Sequence, residues 1–501
     1  MTVTTNPTIN GQTTLVDNTV SQKNGKGLSN GTVTNNGMSN PAMTFPSQSL
    51  RFLEKVETKD VTHYQNGSKA PELARLKLDV VIVGAGIGGL ACAVALARRG
   101  HSVRVLEQAP KLGEIGAGIH IPPNAGRLLH QWGVAEHLEK LAIKPEGINL
   151  RRWEDGSVIG HTTLGANYKS DFGVPYYVVH RAHYHEALHK VAVKLGVTIQ
   201  LGARVIEYQE KKGTVILEDG SVVVGDLVVA VDGINSTARS YIEPDASHEP
   251  VYNGLAAYRG TIDANRMRQD PDLAWMLEKP DLNLWIGQRR HVMSYVIAAG
   301  ESLNMTWSHL DDSDPSTWPE KFDREHMYKE FSGWDPRLTK IIALIDSFMK
   351  WPLKVARPLT TWLSASSKLL VMGDAAHAML PYMSQGAAMA VEDGAALAIT
   401  LNQVSSQDEI APALKVFEKE RMKRTSDMCN ASNVNGMILG LPDGPEQRAR
   451  DASMAPEVRG EHYTHSANLW SDPVTQWWEY GYEAEESMEK ALAKDVAEQQ
   501  S

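Results

Sequence analysis

Between residues 78 and 107 the apolar positions change their rhythm. Val80, Val81, Ile82 and Val83 make a run with no polar break, as a strand covered on both faces does. Residues 90–99 follow helical spacing and stop at Gly100. Val103, Val105 and Leu106 then alternate as a second strand that ends on Glu107. The pattern predicts a β-α-β unit, and Gly84, Gly86 and Gly89 stand at its turn with the spacing G-x-G-x-x-G. Gly84 allows the tight turn, Gly86 lets a pyrophosphate approach the backbone, and Gly89 lets helix and strand pack closely. The helix N-terminus offers unpaired N–H groups and the positive end of its dipole. Glu107 can accept hydrogen bonds from a ribose diol. A dinucleotide site is expected, and the unit alone does not choose between NAD and FAD.

Downstream, the pattern predicts an amphipathic helix over 125–132, after Pro122-Pro123-Asn124. A hairpin over 149–163 turns at Asp155-Gly156, and a helix runs from Arg181 to about Leu195. Residues 203–219 read as strand, turn, strand, and 226–231 as a buried strand. Strands over 258–262, 283–288, 292–298 and 303–307 suggest a mostly antiparallel sheet rich in aromatic residues. Residues 315–350 read as mainly helical, 368–372 as a further buried strand, and 387–401 as a helix of small residues. A charged helix is expected over 412–428. After Gly436 the chain reads as an irregular, aromatic-rich tail before a last acidic helix.

A chain of 501 residues can bury a large core and is expected to hold two domains. Its formal charge of −10, without a basic stripe, argues against a nucleic-acid partner. Two cysteines, Cys92 and Cys429, exclude a disulfide framework and an all-cysteine metal site. No secretory signal, membrane-spanning apolar run or lipidation signal is read, so a soluble cytoplasmic protein is expected. Residues 1–45 are rich in Asn, Thr, Ser and Gly and are expected to be disordered.

One short pattern points elsewhere. His185-Glu186-Ala187-Leu188-His189 is a literal H-E-x-x-H, which on a helix can present two imidazoles to zinc with Glu186 as general base. A third ligand would have to come from Glu207 or Glu210, in a stretch that reads as strand and turn. The expectation is therefore no metal, and an exposed face of an ordinary helix with Leu188 and Val191 inward.

Three motifs stand in order: Gly84-Ala85-Gly86-Ile87-Gly88-Gly89 with Glu107, Asp232-Gly233 with Arg239, and Gly373-Asp374. The chain thereby resembles the single-component (group A) FAD-dependent aromatic hydroxylases, in their fungal salicylate-hydroxylase-like branch. The resemblance covers about 78–441, and Trp477-Trp478-Glu479-Tyr480-Gly481-Tyr482 also looks like that branch. It implies an α/β fold: a Rossmann-like FAD-binding domain interleaved with a mostly antiparallel β-sheet substrate domain, plus C-terminal helices. The expected parts are an extension over 1–75, an FAD-binding domain over 76–250 with an inserted hairpin at about 146–180, and a substrate-binding sheet over 251–360. The FAD-binding domain's second part and a helix would fill 361–435, and the tail 436–501.

By the same resemblance, Gly84, Gly86, Gly89 and Glu107 would hold the ADP half of FAD. Ala117 and Gly118 would pass close to the flavin, and Arg181 would reach the cofactor. Asp232 is tied to FAD and nicotinamide use, and Asp374 would accept a ribityl hydroxyl. Gly386 and Ala387 would set a helix N-terminus against the flavin pyrimidine edge. Ser384 stands where the family often has Gly. The implied reaction uses NADPH or NADH and O2 and passes through a C4a-hydroperoxyflavin to hydroxylate an aromatic, phenolic small molecule. Arg259 would pair with a phenolate or carboxylate. Tyr295 would relay a proton or orient the substrate, with His291 as another candidate. The expected assembly is a monomer or homodimer. Two rivals are epoxidation or rearrangement of a non-phenolic natural product such as an indole alkaloid, and an FAD-binding electron-transfer protein. A nicotinamide dehydrogenase would leave Gly373-Asp374 unexplained.

Overall fold

The computed structural model describes residues 71–113, 118–319, 324–346 and 348–500. The expectation of disorder over 1–45 and the candidate Ala117 lie outside the described residues. The β-α-β unit forms as strand Asp79–Val83, helix Ile87–Arg98 and strand Ser102–Glu107. Gly100, at φ +89°, turns the chain after the helix where a side chain would be strained. A five-stranded parallel sheet grows around this unit in the order Leu369–Val371, Leu227–Ala230, Asp79–Val83, Ser102–Glu107, Thr198–Leu201. Helix Ile87–Arg98 and a small antiparallel sheet, Val205–Gln209, Thr214–Leu217 and Val222–Val224, share its core, and residues 80–83 and 227–230 of the central strands are apolar and buried. Fully burying one such Val or Ile contributes about 1.5–3 kcal/mol. The helix of small residues, Gly386–Asn402, lies on Ile87–Arg98 so closely that a Cβ on Gly394 would sit 2.9 Å from Cys92 Cα.

The second layer is a seven-stranded sheet in the order Phe348–Val355, Val251–Asp263, Ser302–Leu310, Arg290–Ile297, Leu282–Gly287, Gly147–Arg152, Val158–Thr163. All its pairs are antiparallel except Leu282–Gly287 with Gly147–Arg152. The hairpin at Asp155-Gly156 thus adds two strands to this sheet. Successive residues of a strand face opposite sides. Tyr258, Trp285 and Trp307 pack under helices Arg324–Glu330 and Pro336–Leu344, whereas Arg259 and Thr306, their neighbours in sequence, face the other way into a cavity.

Two expectations are corrected. Residues 348–355 form a strand, over whose first three residues helix was expected; Pro352 interrupts the pattern, and an edge strand tolerates it because one side needs no ladder bonds. The charged helix extends over Ile410–Leu439, and the tail adds helices Pro445–Arg459 and Pro473–Tyr480 before the expected last acidic helix, Ala484–Gln499. Helix Pro445–Arg459 buries Gln447, Arg450, Met454 and Glu457, so it carries no apolar stripe that periodicity could detect.

Candidate active site

The turn after the first strand is shaped from within. A Cβ on Gly84 (φ +104°) would lie 2.4 Å from the Val231 carbonyl oxygen, and one on Gly89 would lie 2.0 Å from the Gly84 carbonyl oxygen. Packing requires both glycines, and neither belongs to a cavity wall. Gly86 differs, because among the described residues, its chain neighbours and its own helix backbone apart, no atom lies within 4 Å of where its Cβ would be. It opens onto two cavities of about 460 and 410 Å³, whose walls also share Arg181 and Arg259. Arg181 is the first residue of helix Arg181–Lys194.

The first cavity is walled by Ala85, Glu107, Lys111, His185 and Trp351. Glu107 Oε2 accepts the Ala85 N–H at 2.9 Å and Oε1 accepts the Ala109 N–H at 2.8 Å. Each oxygen retains capacity for a further donor, as a ribose hydroxyl would supply. His185 Nε2 lies 2.6 Å from the Ala85 carbonyl oxygen and braces the loop from the helix side. The H-E-x-x-H pattern is thereby accounted for. Leu188 and Val191 are buried as expected, but His185 is buried too, and Glu186 pairs with Lys190 at 2.7 Å. Among the described residues no group of His, Cys, Asp and Glu is placed to share a metal ion.

The second cavity gathers Gly118, Gly233, Asp374, Gly386 and Ala387 against Arg259, His291, Tyr295 and Thr306 of the large sheet. The Gly118 N–H donates to Asn304 Oδ1 at 2.8 Å, and a Cβ there would lie 2.2 Å from Tyr295 Cε2. Tyr295 therefore lies directly on the Gly118 backbone. Its ring meets His120 edge-on at 4.7 Å, and His120 Nδ1 is 2.8 Å from the Tyr176 hydroxyl. Burial lowers His120 to about 3 and His291 to about 4, so both rings are neutral at neutral pH. Burial also raises the Tyr295 phenol, with the Arg259 charge pulling it back, so Tyr295 keeps its proton. Burial lowers Arg259 itself, Tyr295 opposing and Arg181 adding to the shift. Leu284, Met293, Leu439 and Trp470 add apolar side chains to the wall.

The structure brings together Gly86, Glu107, Gly118, Arg181, Arg259, Tyr295, Asp374, Gly386 and Ala387 on the two cavity walls. It does not bring Asp232 there. The Asp232 carboxylate accepts from the Tyr208 hydroxyl at 3.3 Å and the Thr237 N–H at 3.2 Å, and only its neighbour Gly233 reaches the wall. Arg239 donates to the Ala375 carbonyl oxygen at 2.8 Å and so ties the second motif to the third. Trp351, His120, Tyr382 and Trp470 also line the cavities and were not singled out from the sequence, although His120 and Tyr382 lie two residues from Gly118 and Ser384. Ser384 adopts φ +57°, ψ 28°, the left-handed region that favours the glycine of the family pattern.

FAD fits this arrangement. The open position at Gly86 suits a pyrophosphate between an acid-walled cavity for a ribose and a second cavity with a helix N-terminus in its wall. Comparison with known proteins agrees. Residues 77–432 match the FAD binding domain family. An FAD-dependent monooxygenase (OpS4) of Beauveria bassiana is 33% identical over 423 residues, covering 84% of this chain and 98% of the relative. The 3-amino-4-hydroxybenzoate 2-monooxygenase PtmB3 of Streptomyces platensis is 32% identical over 81% of this chain and 96% of its own. Among solved structures, CtdE in complex with FAD and a substrate matches with a TM-score of 0.72 and 25% identity, over 83% of this chain and 98% of that one.

Proposed function

We propose that this chain, which belongs to the group A FAD-dependent monooxygenases, uses NADPH or NADH and O2 to hydroxylate a phenolic or hydroxybenzoate-like aromatic compound in the second cavity. The observation that carries the substrate reading is Arg259. Its guanidinium has no ion-pair partner among the described residues, yet it faces a cavity beside Tyr295 whose wall also carries Leu284, Met293, Leu439 and Trp470. A partly buried cation without a counter-ion in such a wall calls for an anionic group on the ligand. The hydroxybenzoate named for the Streptomyces relative carries such groups.

Gly86, Glu107 and Arg181 would hold the adenosine and pyrophosphate side of FAD. Asp374, Gly386 and Ala387 would hold its flavin side. Bound FAD supplies the redox chemistry that activates oxygen. The chain's own residues do the rest. Arg259 pairs with a phenolate or carboxylate and orients the ring. Tyr295, protonated at neutral pH, donates a hydrogen bond and can pass a proton to or from a substrate oxygen. His120 and His291, held neutral, add no competing charge. Leu284, Met293, Leu439 and Trp470 exclude water from the reacting centre. We place the enzyme in the cytoplasm, as a monomer or homodimer, where its unpaired cysteines and a reduced nicotinamide donor are at home. Among the described residues no helix is long and apolar enough to cross a membrane.

The test is Arg259→Ala with NAD(P)H oxidation and product formation followed across a panel of phenols and hydroxybenzoates. Hydroxylation is expected to fall by at least about a hundredfold, with FAD retained. Undiminished turnover in the variant would refute the assignment.

A further inference from the structure

Behind the start of helix Gly386–Asn402 lies a polar cluster closed off from solvent. Asn124 Nδ2 donates to Gln385 Oε1 at 2.9 Å and to Glu392 Oε1 at 2.7 Å. Gln385 Nε2 donates in turn to Glu479 Oε1 at 2.8 Å. The cluster's charges can be counted. Arg421 pairs with Asp393 at 2.8 Å and with Glu392 at 2.9 Å, and Arg424 pairs with Glu392 at 3.2 Å. His377 lies 2.6 Å from the other Asp393 oxygen. Arg424 directs its remaining N–H groups to the main-chain carbonyls of Trp478 and Glu479, and Arg127 donates to those of Phe172 and Tyr482.

Two guanidinium groups thus face two carboxylates, and among the described residues Glu479 is a third acid with no cation of its own. Its side chain is fully buried, and Oε2 has no hydrogen-bond partner among the described residues. The other groups around it are Tyr168, Tyr176 and Tyr480. An ionised carboxylate here would be a buried, unpaired charge, so the neutral form is favoured. Consistent with this geometry, burial pushes Glu479 up to about 8 against the Gln385 bond, the Arg424 charge and Tyr480, while Glu392 adds to the rise.

Gln385 immediately precedes Gly386 and Ala387, which line the second cavity with the positive end of their helix. We propose that Glu479 is a proton-holding residue coupled through Gln385 to the flavin side of the site. Neutral, it leaves the positive end of helix Gly386–Asn402 undiminished; ionised, it opposes that end. By linkage, negative charge gained in the cavity strengthens proton binding at Glu479, and loss of that proton lowers the reduction potential of the cofactor. The inference is independent of the substrate reading and rests on FAD lying against Gly386 and Ala387.

The test is the reduction potential of substrate-free, FAD-loaded enzyme from about pH 6 to about pH 9.5, in wild type and Glu479→Gln. The isosteric amide keeps an acceptor for Gln385 and cannot ionise. The two curves are expected to coincide below about pH 7, and the wild type to fall increasingly below the variant above about pH 8. Curves that superimpose, or differ by a constant offset, would overturn the coupling. Infrared titration of wild type supplies an independent reading, because ordinary carboxyl groups are ionised over this range. A protonated-carboxyl C=O band should disappear as pH rises through about 8, and its absence would overturn the neutral Glu479 even if the variant did not fold. Failure to take up FAD would strike the cofactor placement instead and leave the infrared result standing.

Discussion

The two cavities that meet at Gly86, Arg181 and Arg259 are built from different materials. The first is made of backbone and charge: a glycine turn, a helix N-terminus, Glu107 and Lys111, within about thirty residues of chain apart from Arg181, His185, Arg259 and Trp351. The second sets glycine positions from distant parts of the chain, Gly86, Gly118, Gly233 and Gly386, against side chains drawn from the large sheet, the loop before helix Gly386–Asn402 and the C-terminal segment. Its titratable rings, His120, His291 and Tyr295, are held neutral by burial. The contrast teaches that a cofactor's phosphate end can be recognised by a short, locally specified backbone shape. A substrate's ring and charge have to be met by surfaces that only folding assembles.

Four measurements would break or sharpen this contrast. The largest effect is expected from Gly89→Ala in the cradle, where the new Cβ meets a main-chain oxygen at 2.0 Å and neither side can yield. Roughly 3 kcal/mol or more of stability should be lost, and FAD with it, as read by thermal unfolding and flavin absorbance of the purified protein. An Ala variant that stayed yellow and stable would show the cradle to be more plastic than its geometry implies.

Next is the pH dependence of stability contributed by Glu479, which helps support the second cavity. Its folded proton affinity is raised, so the unfolded chain releases this proton first, and stability falls as pH rises from the ordinary carboxylate range to about 8. In denaturant titrations, the stability of wild type relative to Glu479→Gln should decline as pH rises from about 5 to about 8, then level off. A pH-independent difference would contradict a neutral Glu479.

Gly118→Ala repeats the cradle substitution in the second cavity. Here the new Cβ meets the ring of Tyr295, which can move, so FAD should remain bound while kcat/KM falls roughly ten- to a hundredfold. Loss of FAD instead would erase the distinction between the two walls. The smallest effect is expected from Ser384→Gly. Relief of the left-handed strain should stabilise the protein by about 1 kcal/mol at most, partly offset by lost contact with Tyr176 and by a more flexible unfolded chain. A change in denaturation midpoint in the destabilising direction would mean that the Ser384 side chain matters more than its backbone.

The parts of the fold that could be read in advance share a property: their signals are local. The run Val80–Val83, the glycine spacing and the turn at Asp155-Gly156 each depend on neighbours a few residues away. The edge strand Phe348–Val355 escaped notice because Pro352 weakens the local pattern, and only pairing with Val251–Asp263 makes it a strand. Helix Pro445–Arg459 escaped because its buried face is polar. It is held by distant partners such as the His161 N–H, which donates to Glu457 Oε2 at 2.8 Å. The pattern around His185 gave the right helix but the wrong surroundings, since periodicity does not say that Ala85 lies across from it.

By itself, the sequence determined the β-α-β cradle, the order of the three motifs and the presence of Arg259 and Tyr295 on two strands of one sheet, which the strand Ser302–Leu310 separates. Spacing, turn chemistry and chain reversal settle such features over short distances. Only the tertiary structure decided that Arg259 faces both cavities, that Asp232 turns away to Tyr208 and Thr237, and that Glu479 is left without a cation behind Gln385. Those outcomes depend on burial and on which charges meet across hundreds of residues, and no local pattern encodes either.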